Sequence, residues 1–167
     1  MNRTSFVALL SSGLFAGGGA MVGLSFGAIF LGLGGLVPAM SGSQLVELFP
    51  LYWTAIALTI IPVALVKTVA LAIVAFRRQA IPGVRRFWRW AFGLWMVNCA
   101  LTAGYHVQVV IASFMGKYAP EEMVSTIQVW IALHWIRVLL ALASFVLAIV
   151  AVSKTSQGIS ERAWRSI

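Results

Sequence analysis

Charge is scarce in this 167-residue chain, and acidic charge scarcest: 10% of residues are charged, four of them acidic against twelve basic. No charged residue falls between Arg3 and Glu47. A lone cysteine, Cys99, excludes an intramolecular disulfide. The chain also lacks a cysteine pair for zinc, a glycine-rich phosphate loop, an acidic cluster for two irons, and a Ser/His/Asp set within its apolar segments. Nucleotide-phosphate, zinc, di-iron and serine-hydrolase chemistry are therefore without their residues.

What is present is apolar: 61% of the residues are hydrophobic, gathered into four segments each long enough to cross roughly 30 Å of hydrocarbon as a helix. The first opens at Phe6 behind Arg3, and its apolar run outlasts the ~7–15 residues of a signal-peptide core. It reads as an uncleaved span. Helices are expected over 5–36, 51–76, 87–116 and 120–152, with 153–167 as a tail. Pro38 with Ser41-Gly42-Ser43, Pro82-Gly83, and Gly116 with Pro120 interrupt them. Short connections make neighbours antiparallel, so the fold class is all-α, a single up-down-up-down four-helix transmembrane bundle.

The net charge of +8 does not point to nucleic acid, because the basic residues sit at the ends of the apolar segments. Arg3, Arg77, Arg78, Arg85, Arg86, Arg89, Lys154, Arg162 and Arg165 mark one side, and Glu47, Lys117, Glu121 and Glu122 the other. The positive-inside rule then places both termini in the cytoplasm. Trp88 and Trp90 beside those arginines are expected at the interface, anchored to anionic headgroups. Helix 1 carries Gly19, Gly23 and Gly27 at four-residue spacing. Such a stripe lets another backbone approach closely, within the bundle or across a dimer seam.

Ionisable groups in hydrocarbon are expensive and mark candidate sites. Four lie within the spans: Lys67, His106, His134 and Arg137, none with a carboxylate in the spans. Lys67 is expected to snorkel toward the cytoplasmic surface. On helix 3, Asn98, Thr102, Tyr105 and His106 recur at helical spacing; on helix 4, Trp130, His134, Arg137, Ala141 and Ser144 do the same. Both histidines lie about 14–15 Å along their helices from the same end of the bundle. The two stripes are therefore expected to meet, with His106 and His134 at one depth. Arg137, a planar fork, is satisfied there either by carbonyls and water or by carboxylate or enolate oxygens.

The segment Trp130-Ile131-Ala132-Leu133-His134-Trp135-Ile136-Arg137, after Pro120-Glu121-Glu122, resembles the last helix of the anthrone oxygenase-like family of small four-helix membrane proteins. Leu14-Phe15-Ala16-Gly17, Val37-Pro38-Ala39 and Phe49-Pro50-Leu51-Tyr52 are similar to it as well. Fungal members oxidise anthrones to anthraquinones with dioxygen and no known cofactor; bacterial members mostly lack an assigned function. The resemblance implies an oxidoreductase in a bacterial cytoplasmic membrane, acting on a hydrophobic aromatic small molecule, with Trp130, His134 and Arg137 matching the family's helix 4 pattern.

Three functions follow as expectations. In a cofactor-independent oxygenase, His134 or His106 removes a proton from a planar carbon acid and Arg137 stabilises the enolate. Trp130 and Tyr105 stack on the substrate, with Asn98 and Thr102 in the same pocket and no metal. In a redox carrier, the two histidines ligate one haem b. In an accessory subunit, helices 1 and 3 bind a membrane-protein partner or a second copy of the chain.

Overall fold

The computed structural model of the chain describes residues 1–31, 40–78, 81 and 83–164. Expectations for residues 32–36, Pro38, Pro82 and Arg165, and for the side chains of Glu161 and Arg162, lie outside the described residues. Four long apolar helices pack as a bundle, with candidate spans Arg3–Ala28, Gly42–Phe76, Val84–Phe114 and Pro120–Gly158. The first is α1 (Arg3–Leu31) and the second α2 (Gly42–Phe76). The third joins α3 (Val84–Leu101), a π-helical turn (Thr102–His106) and α4 (Val107–Phe114). The last is α5 (Pro120–Trp164), which packs on α1, α2 and α3. Large side chains such as Leu14, Leu58, Leu65, Val69 and Leu139 stay exposed around the bundle. An apolar periphery of that extent suits lipid, and the protein is an integral membrane four-helix protein.

Local chemistry sets the helix ends. Asn2 Oδ1 accepts from Ser5 N at 2.7 Å and starts α1. The Ser41-Gly42-Ser43 run, expected to interrupt the chain, instead begins α2 nine residues ahead of the expected start. Ser41 and Gln44 form a reciprocal capping box, Gln44 N to Ser41 Oγ at 3.3 Å and Ser41 N to Gln44 Oε1 at 2.9 Å. Pro50 and Pro62 lie inside α2, tolerated as prolines in membrane helices are. Gly83 opens α3 at φ 86°, and Gly116 closes α4 at φ 64°. At that second glycine Gly116 N bonds Ser113 O and Lys117 N bonds Ala112 O, both at 3.0 Å, a Schellman close that needs a left-handed residue. Glu122 Oε2 accepts from Ala119 N at 3.2 Å at the head of α5. That helix runs through the expected tail to Trp164.

The glycines of α1 divide by face. A Cβ on Gly13 would meet the Phe145 ring at 3.1 Å, on Gly19 the Val138 side chain at 3.7 Å, and on Gly23 His134 at 3.1 Å. The stripe therefore packs α1 against α5 within the bundle, while Gly17 and Gly18 have nothing within 4 Å. Two buried clusters form the core. One gathers Phe15, Leu71, Val74, Trp88 and Trp95 with many alanines. The other gathers Phe26, Phe49, Val110, Met123, Ile127 and Trp130. Trp88, expected at the interface, belongs to the first cluster at 1% exposure, whereas Trp90 is exposed. The apolar face of α3 outweighs the interfacial preference of an indole at that position.

A candidate intramembrane histidine site

On α5 the expected stripe is buried throughout: Trp130, His134, Arg137, Ala141 and Ser144. On the third span the π turn decides which residue faces it. In a regular helix His106 would lie about 80° around the axis from Asn98. The turn holds one extra residue, with Val107 N–H reaching Thr102 O five positions back, and so rotates His106 by about 100° back toward Asn98's side. Asn98 and His106 are both fully buried, and Thr102 and Tyr105 flank them half-buried.

The two histidines meet. Their ring centroids are 6.2 Å apart, and the Trp130 indole lies 5.1 Å from each, stacked on His134 at 7° and tilted at 58° to His106. The Tyr105 ring lies edge-on to His106, with centroids 5.6 Å apart. Around Trp130 stand Phe26 at 5.4 Å, Phe49 at 5.7 Å and Trp53 at 6.4 Å. His134 Nε2 is 2.7 Å from Gly19 O. A carbonyl only accepts, so Nε2 carries the hydrogen, and in the neutral ring Nδ1 is left with the lone pair.

Four polar atoms here are buried without a hydrogen-bond partner: both ring nitrogens of His106, Nδ1 of His134 and Nε1 of Trp130. The backbone of Leu101 and Trp130 approaches His106 without reaching hydrogen-bond geometry. Orphaned buried polar groups are rare and costly, so four in one place ask for a ligand or ordered water.

Arg137 forms an adjoining pair rather than a free ligand hand. Its Nε donates to Asn98 Oδ1 at 3.2 Å, and Asn98 Nδ2 donates to the Arg137 carbonyl at 3.1 Å. Thr102 Oγ1 donates to Asn98 O at 2.7 Å. The guanidinium is within electrostatic reach of both imidazoles. Thus the seven expected residues form two groups: His106, His134, Trp130 and Tyr105 in one, Asn98, Thr102 and Arg137 in the other.

Lys67 departs from expectation. It is fully buried, and its Nζ lies 4.0 Å from the Trp95 ring centroid and 5.4 Å from that of Phe15. Trp95 Nε1 donates to Thr68 Oγ1 at 2.7 Å, which turns the indole face toward the ammonium. Aromatic faces therefore hold the charge where snorkelling was expected. Sequence reasoning also missed Gly19 as the acceptor for His134 and the phenylalanine walls. The glycine stripe hinted at the first; nothing singled out Phe26 and Phe49 from other apolar residues.

A haem between the two histidines does not fit this arrangement. His134 Nε2 is spent on Gly19, and the indole packed equally close to both rings would have to leave for the porphyrin plane. No family model, curated protein or solved structure matches this chain.

Proposed function

We propose that this membrane protein oxidises a planar aromatic carbon acid with dioxygen inside the bundle, without a cofactor, as its likeness to anthrone oxygenases implies. The observation that carries the reading is the locked imidazole: Gly19 O holds Nε2–H of His134 and leaves Nδ1, buried and unpartnered, as a base of fixed direction. His134 takes the ring C–H proton, and Arg137, oriented through its Nε by Asn98, stabilises the enolate oxygen. Trp130 and Tyr105 supply flat faces, with His106 as a second proton acceptor. The carbanion reduces dioxygen; one oxygen atom becomes the new ring carbonyl and the other leaves as water with the two ring hydrogens. The arginines of the α2–α3 connection support a cytoplasmic location for both termini.

Membranes containing the protein, mixed with anthrone and oxygen, are expected to form anthraquinone faster than control membranes, followed by quinone absorbance. His134→Gln, which keeps a donor for Gly19 but lacks the Nδ1 base, is expected to slow the reaction about 100-fold or more. A rate no greater than the control's, or an undiminished rate in that variant, rejects the proposal.

A further inference from the structure

Hydrogen-bonding capacity limits what can sit among His106, Trp130 and His134. An indole N–H only donates, and that of Trp130, wholly buried, meets no acceptor. His134 is its complement: with Nε2–H given to Gly19, Nδ1 of the neutral ring only accepts, and nothing donates to it. His106 adds one free donor and one free acceptor. The rings packed on Trp130 and His106 are flat, namely Phe26, Phe49 and Trp53 on the indole and Tyr105 on the imidazole. A molecule that answers all of these groups is a ring system bearing oxygens that both give and take hydrogen bonds, and it arrives through lipid.

We infer that this niche binds a lipid-soluble hydroquinone in preference to its quinone. Each oxygen of a hydroquinone donates and accepts, so one hydroxyl serves His134 Nδ1 while the same or the other oxygen accepts from Trp130. Quinone oxygens only accept. They satisfy Trp130 and one nitrogen of His106 but leave His134 Nδ1 buried and unpaired, which weakens binding about tenfold. The inference rests on the niche of the proposed function being a ligand site and not on its being catalytic, so anthrone turnover and hydroquinone binding succeed or fail separately.

The test is anaerobic calorimetric titration of the purified full chain in detergent with decylubiquinol and, separately, decylubiquinone. One saturable site per chain is expected, about tenfold tighter for the reduced form, and His134→Phe, which has no acceptor, is expected to bind both forms alike. Absence of saturable hydroquinone binding, equal affinity of the unmodified protein for the two forms, or a preference that survives in His134→Phe each overturns the inference. The first two readouts need no variant and so do not depend on a substituted chain folding.

Discussion

Around Trp95 the buried polar groups other than the Lys67 ammonium find hydrogen-bond partners within the protein; around Trp130, nearer the connection that precedes α5, four polar atoms do not. In the first region Trp95 Nε1 bonds Thr68, Ser12 Oγ bonds Ala8 O at 2.6 Å, Ser144 Oγ bonds Ala91 O at 2.9 Å, and the Lys67 ammonium rests on two ring faces. In the second, two imidazoles and an indole have unspent hydrogen-bonding capacity enclosed by aromatic rings. One half of the core spends its hydrogen bonds within and between helices. The other leaves four polar atoms unspent, at a cost to stability of the kind seen where function and stability compete.

The largest effect is expected where the two regions join. Asn98→Leu leaves Arg137 Nε without its partner and removes the side-chain bond to the Arg137 carbonyl, and should lower the unfolding free energy in detergent by about 3 kcal/mol. A loss below about 1 kcal/mol would mean that the two halves are not tied at that point. Next comes His106→Leu. Removing two orphaned nitrogens from a fully buried site should raise stability by about 2 kcal/mol, whereas Ser144→Ala should lower it by about 1 kcal/mol. If His106→Leu destabilises instead, the contrast between the regions is gone. The smallest effect is expected at Lys67→Met, a swap close in shape. An ammonium in the membrane interior costs about 2.5–3.5 kcal/mol, and the aromatic faces offset about 2 kcal/mol of that. The net gain should be about 1 kcal/mol, read by the same unfolding titration, and a loss would show that the aromatic cage outweighs the burial of charge.

Much of this is legible in the sequence. Four apolar runs and the glycine spacing of α1 specify spans and their close packing, because length and small side chains act locally and along the chain. The α5 stripe from Trp130 to Ser144 is equally readable, since a regular helix carries its periodicity without outside help. The third span was readable only in part. Its stripe assumes an unbroken helix, and the π turn at Thr102–His106 turns His106 inward while leaving Tyr105 at the flank. That choice depends on what α5 presents, which no single segment encodes. Lys67 misled for a related reason: its distance from the membrane edge suits snorkelling, but Trp95 and Phe15 come from two other helices. The start of α2 was missed because serine and glycine serve equally as a break and as a cap, and only Gln44 three residues on tells them apart.

The side-chain bonds from Ser144 to Ala91 O and from Asn98 to Arg137 O are spaced seven residues apart on both α3 and α5. They act like two pins through a pair of antiparallel rods. A slip of one residue, about 1.5 Å, shears both pins at once. A swing of α1 away from α5 would instead leave both pins intact and carry the Gly19 carbonyl away from His134.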